Sequence, residues 1–182
     1  MTGFTIAATV AQFGILATLL VASSMTDLRE RRIPNKLTYG TILVALSVAL
    51  LNQLFGADGA GPSLAGAVVG FATCCSIMFV AYVTIGIGAG DVKLAAAIGC
   101  LLGSYHGIET ILWAHVAGGI FVVAALLWHH GAKWIVLKGC AVCLPAYFPH
   151  PVMKRELLNY PVPMAVFFAA GSLLSLSGVG IL

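Results

Sequence analysis

Two aspartates are the groups in this chain best suited to chemistry: Asp27, in "TDLRERRIPNKLT", and Asp91, in "GIGAGDVKL". Only six acidic residues occur among 182, and the other four have plainer surroundings. Glu30 lies among arginines, Asp58 in the polar stretch "GADGAG", Glu156 in "KRE", and Glu109 near the start of an apolar helix. Two carboxylates held together in a medium of low dielectric cannot both ionise readily, so the pair shares a proton. Such a pair can activate water. The ionised member takes a proton from water as it attacks a carbonyl, and the protonated member donates to the carbonyl oxygen. The chemistry is amide hydrolysis, and it requires no Ser or Cys nucleophile, no metal and no cofactor. Taken singly, each aspartate is equally well read as a helix cap, Asp91 behind its glycines and Asp27 ahead of "LRERR".

Whether the two can act together depends on the elements that carry them. The chain is 60% hydrophobic and 8% charged, with a mean hydropathy of +1.04. Several apolar runs approach the roughly 20 residues that a helix needs to cross a bilayer. The sequence therefore predicts an all-α, polytopic integral membrane protein, a single membrane domain over 1–182 surrounded by lipid. About six transmembrane helices are expected, over 4–24, 37–55, 64–87, 91–106, 107–128 and 162–181. Residues 129–161, interrupted by Lys138, Gly139 and Pro145, read as a cytoplasmic or interfacial segment. The first apolar run has no Lys or Arg ahead of it and reads as a retained span, not a signal peptide.

All nine Lys and Arg residues fall on one side of this threading. Arg29, Arg31, Arg32 and Lys36 follow the first helix, Lys93 follows the junction of the third and fourth, and Lys133, Lys138, Lys154 and Arg155 precede the last. By the positive-inside rule that side is cytoplasmic, and both termini face away from it. Asp27 lies at the inner end of helix one and Asp91 at the inner end of the pair formed by helices three and four. They are 64 residues apart in sequence but share one membrane depth. An ionisable residue at such a boundary is costly unless paired, hydrated or used, so the coincidence favours chemistry over capping.

The same threading excludes other classes. The net charge of +3 is spread between hydrophobic spans, with no basic domain to hold nucleic acid. The five cysteines do not form a disulfide framework, because three lie in expected spans. Cys140 and Cys143 make a single CxxC with no second CxxC to complete a zinc site.

Lesser candidates surround the aspartates. Gly86, Gly88 and Gly90 remove side chains where the backbone must turn and where an extended substrate could approach Asp91, although glycine is also common in membrane helices. Lys93 is either an electrostatic partner of Asp91 or an anchor for its helix. Pro34 and Asn35 open the return into helix two. His115, inside helix five, reads as a packed, hydrogen-bonded histidine, and "GAVVG" at Gly66 to Gly70 reads as a helix-packing face.

"TDLRERRIPNKLT" followed by "GIGAGDVKL" resembles the type IV prepilin peptidase family of membrane aspartic proteases, in which an Asp ahead of a basic stretch and I-P-N pairs with the Asp of G-x-G-D. The C-terminal "NYPVPMAVFFAAG" looks like that family's final helix, so the likeness covers nearly the whole chain. The resemblance implies that Asp27 and Asp91 are the catalytic pair, with Gly88, Gly90, Lys93 and Asn35 supporting them. It implies a bacterial inner-membrane endopeptidase acting on prepilins or pseudopilins, beside other pilus or secretion components. The leader would be cut on the cytoplasmic side, next to a glycine. Larger members carry a cytoplasmic domain with two CxxC motifs and also N-methylate the new N-terminus. This chain looks like the short form associated with Flp, or tight-adherence, pili. Two rival readings use the same residues: a proton-coupled membrane carrier, which commonly shows two related halves, and a noncatalytic assembly factor whose aspartates are caps.

Overall fold

A computed structural model describes residues 3–55, 61–130 and 163–178. Every regular element among them is a helix: α1 (Gly3–Glu30), α2 (Asn35–Leu54), α3 (Leu64–Ile85), α4 (Ala89–His130) and α5 (Met164–Leu176). The first four are long and apolar enough to cross a membrane, while α5, with 13 residues, is shorter. The expected segment 129–161 lies almost wholly outside the described residues, as do Asp58, Cys140 and Cys143. Residues 1–115 and 163–182 form one unit and residues 116–162 a second. The described part of the second unit, residues 116–130, is helical throughout.

The helix ends follow from local chemistry. α1 stops at Arg31, which adopts a left-handed φ of 53° while its N–H donates to the Asp27 carbonyl at 3.0 Å. Pro34 then sets the entry to α2, its carbonyl accepting the N–H of Leu37 at 3.1 Å. Ser63 caps α3, its hydroxyl accepting the Gly66 N–H at 3.1 Å. Gly86 ends α3 in the left-handed region, with φ 82°.

Inside α4 the chain folds back on itself. A straight helix would separate Gly99 from Gly107 by about 12 Å, yet a Cβ on Gly107 would lie 2.9 Å from the Gly99 Cα. The reversal is at Gly103, whose φ of 80° and ψ of 179° fall in a region that glycine alone visits readily. This point lies a few residues ahead of the boundary at 106/107 expected from hydropathy. Gln12, buried on α1, donates its side-chain amide to the Leu101 carbonyl beside the break. In a water-poor bundle the carbonyls next to such a turn need a donor of this kind.

Small side chains make this packing possible. A Cβ on Gly70 of α3 would lie 2.8 Å from the Gly103 carbonyl carbon, and one on either Gly99 or Gly107 would lie 2.6 Å from Cys74 Sγ. The "GAVVG" face is thus used asymmetrically: Gly70 meets α4, whereas Gly66 faces Pro62 and Ser63 of its own cap. The interior holds Ala45, Ala49, Ala67, Cys74 and Ala97, while Leu43, Leu50, Val69, Val80 and Val83 point outward. Small residues at these contacts let the helices approach closely, as in helices packed within lipid, while larger side chains such as Leu19, Met78, Leu94, Ile98 and Phe168 fill the rest of the interior.

Candidate active site

Asp27 sits in the last turn of α1, half-buried. Its Oδ2 accepts the N–H of Ala165 at 3.1 Å. That N–H belongs to the first turn of α5, where amides have no partner within their own helix, so a carboxylate on α1 caps a helix 138 residues further along the chain. Asp27 therefore caps α5, and the expected alternative, a cap on a short helix through "LRERR", is not what forms: those residues complete α1 and the turn after it.

Asp91 is the third residue of α4, also half-buried. It does not occupy the cap position, since its own N–H donates to the Gly88 carbonyl at 3.0 Å. Its carboxylate folds back along the turn, so that a Cβ on Gly88 would lie 3.1 Å from Asp91 Oδ2. The two carboxylates are close enough to interact electrostatically. Being half-buried, neither is sealed from water, which a hydrolytic pair must admit.

Three further contacts tie the two motifs together. Ile33, of "RRIPN", covers Gly90: a Cβ there would sit 3.4 Å from the Ile33 Cβ. Lys93 Nζ donates to Asn35 Oδ1 at 2.8 Å. The same ammonium lies 5.5 Å from the centre of the Tyr39 ring, within the range of a cation–π contact. Tyr39 follows Asn35 by one helical turn, so both present the same face of α2 to Lys93. Lys93 and Asn35, separate candidates in the sequence, are thus hydrogen-bonded to each other. Gly88 and Gly90 have different surroundings, the first facing the Asp91 carboxylate and the second an isoleucine. His115 is packed as expected, Nδ1 at 2.7 Å from the Ile111 carbonyl and the ring edge-on to Phe168.

Sequence reasoning had no means of finding Ala165, whose contribution is a backbone amide, nor Ile33 and Tyr39, whose types carry no reactive group. It also passed over Glu109, which is 1% exposed despite its position near a helix start. The only signal for Glu109 was a carboxylate inside an apolar run.

Residues 14–123 match the type IV leader peptidase family, a stretch that contains both Asp27 and Asp91. Several curated relatives carry the name prepilin leader peptidase/N-methyltransferase. One from Xanthomonas campestris pv. campestris is 29% identical over 128 residues, covering 69% of this chain and 40% of the relative. One from Aeromonas salmonicida is 31% identical over 124 residues, covering 65% and 42%. One from Bacillus subtilis is 26% identical over 161 residues, covering 88% and 53%. The chain thus spans about half the length of these relatives, or less. No solved structure matches it at a significant level. With its profile matched over more than half the sequence and through both aspartate motifs, this chain belongs to the type IV leader peptidase family.

Proposed function

We propose that this protein is a membrane-embedded aspartic endopeptidase that removes the short leader of type IV prepilins, with Asp27 and Asp91 as the catalytic pair. The observation that carries the reading is that two carboxylates from motifs 64 residues apart lie within electrostatic reach of each other in a bundle of membrane-spanning length. Family membership supports the substrate class. The basic residues after α1 and at Lys93 support a cytoplasmic position for this end, in the bacterial inner membrane, with both ends of the chain on the opposite side.

In this mechanism one carboxylate is ionised and the other protonated when substrate binds. The ionised carboxylate removes a proton from water, whose oxygen bonds to the scissile carbonyl carbon while the protonated carboxylate donates to the carbonyl oxygen. A neutral tetrahedral diol results, and the two carboxyl groups have exchanged proton states. One then takes a proton from the diol as the other protonates the departing nitrogen, the C–N bond breaks, and an acid and an amine are released. Gly88, Gly90, Lys93 and Asn35 shape this end of the bundle, Gly88 through the Asp91 carboxylate and the others through the junction of α2 with α4.

One observation favours a second, noncatalytic reading: Asp27 caps α5 and Asp91 lies in the first turn of α4, which are structural duties for carboxylates. Co-expression with a candidate Flp-type prepilin separates the two. Loss of leader removal in both Asp27→Asn and Asp91→Asn, with membrane levels of the protein unchanged, supports the dyad. Persistent cleavage in either variant leaves only the capping role, for which a loss of about 1 kcal/mol in stability is expected.

A further inference from the structure

Glu109 and Ser175 belong to neither aspartate motif, yet both are buried, at 1% and 2% exposure. Ser175 Oγ donates to Glu109 Oε2 at 2.7 Å. His106 Nδ1 lies 3.1 Å from Ser175 Oγ and 3.6 Å from Glu109 Oε2, with 42% of its side chain exposed. With the hydroxyl proton directed to the carboxylate, the Ser175 oxygen accepts from His106 when Nδ1 carries the hydrogen, and the same hydroxyl lies 3.5 Å from the His106 carbonyl. The cluster joins the C-terminal turn of α5 to the stretch of α4 just after the Gly103 reversal.

Placing a carboxylate inside a membrane bundle is costly, so its occupation calls for a cause. The cause lies along α5. At its other end the same helix presents the Ala165 N–H to Asp27 Oδ2. Ala165 and Ser175 are separated by about 15 Å of continuous helix, which is stiff along its axis. Between them α5 lies flat on α4: a Cβ on Gly171 would sit 2.6 Å from the Thr110 carbonyl oxygen and 3.0 Å from the Ala114 nitrogen. This close approach and the buried Phe168 side chain hold α5 against its neighbours, and the polar contacts at its two ends act on its axial position.

We propose that Glu109, Ser175 and His106 form a positioning clasp for the catalytic pair, setting the axial register of α5 so that the Ala165 N–H holds Asp27 in place. This inference rests on the assignment of Asp27 as a catalytic residue. Glu109 touches no reacting atom in this scheme and acts through α5. A displacement of about half an ångström at Asp27 corresponds to a loss of about tenfold in turnover, since 1 Å of misplacement can cost about a hundredfold.

The test is steady-state cleavage of a leader-containing prepilin peptide by the full chain in lipid nanodiscs, comparing Glu109→Leu, Ser175→Ala and Glu109→Gln. Each variant is first checked for wild-type elution and for unfolding above the assay temperature. Glu109→Leu and Ser175→Ala are expected to lower kcat about tenfold with KM within twofold of wild type. Glu109→Gln retains a carbonyl oxygen for Ser175 and is expected to stay within about threefold of wild type. Wild-type kcat in a folded Glu109→Leu or Ser175→Ala variant, or a loss expressed only in KM, overturns the clasp. Equal losses in Gln and Leu overturn it as well, because the charge and not the tether would then matter. Asp27→Asn and Asp91→Asn run in parallel. If they are inactive while the clasp variants are not, the clasp alone fails. If they still cleave, the dyad fails and the clasp fails with it.

Discussion

Gly88 and Gly90 are interchangeable in the motif G-x-G-D but not in the structure, and alanine at each should give different enzymes. At Gly88 the added Cβ would stand 3.1 Å from Asp91 Oδ2, a few tenths of an ångström inside ordinary contact, so the carboxylate must move. Scaling the loss of about a hundredfold per ångström of misplacement, a shift of that size lowers kcat by roughly three- to tenfold, or about 0.7 to 1.4 kcal/mol in activation free energy. Loss of glycine at the cap position of α4 adds a destabilisation of up to about 1 kcal/mol. At Gly90 the added Cβ would meet Ile33 at 3.4 Å, ordinary contact, and alanine within a helix is favoured over glycine by up to about 1 kcal/mol. Gly90→Ala should therefore keep kcat within about twofold of wild type and unfold no more easily. Both variants can be compared by kcat, KM and thermal unfolding in the same nanodiscs. A tenfold rise in KM for Gly90→Ala would mean that substrate, not Ile33, occupies the space beside this glycine. Wild-type kcat in Gly88→Ala would show that the Asp91 carboxylate has slack that the packing does not suggest.

Other substitutions test the scaffold. Gly70→Ala drives a Cβ into the backbone at Gly103 and should cost about 1 to 3 kcal/mol or more, whereas Gly40→Ala, with nothing within 4 Å, should be neutral or stabilising by up to about 1 kcal/mol; equal unfolding temperatures in detergent would refute the close approach of α3 and α4. The Lys93–Asn35 hydrogen bond lies at an exposed position, so a double-mutant cycle of Lys93→Met and Asn35→Ala should give a coupling of only about 0.5 to 1 kcal/mol in stability. Strict additivity would indicate that the bond does not persist in the bilayer. Arg31→Gly removes a side chain from a left-handed position and should stabilise the end of α1 by about 1 kcal/mol, read as a higher unfolding temperature, with orientation retained by Arg29 and Arg32. An unchanged or lower unfolding temperature would count against strain at that turn.

The linear sequence was sufficient for the all-helical, membrane-spanning character of the chain, and it singled out Asp27 and Asp91 as the proposed pair. Transfer of a segment into lipid depends on its own length and polarity, so apolar runs divided by "RRIPN" and "GIGAGD" could be read as spans without knowledge of their neighbours. A carboxylate next to such a run is conspicuous for the same reason. The position of the α4 reversal was less legible, because hydropathy registers the weakly polar "SYHG" while the turn depends on a backbone conformation open to Gly103. The remaining features were decided by tertiary structure. Ala165 serves Asp27 through an amide that every residue except proline possesses, and no side-chain pattern marks it. Ile33 on Gly90, Tyr39 beneath Lys93, and Ser175 against Glu109 depend on which faces of separate helices meet. Helix identity follows from properties that add along the chain, whereas these contacts depend on axial offsets and rotations fixed only when several helices pack together. At Asp27 the sequence supplied the acid, and the packed fold supplied the amide that orients it.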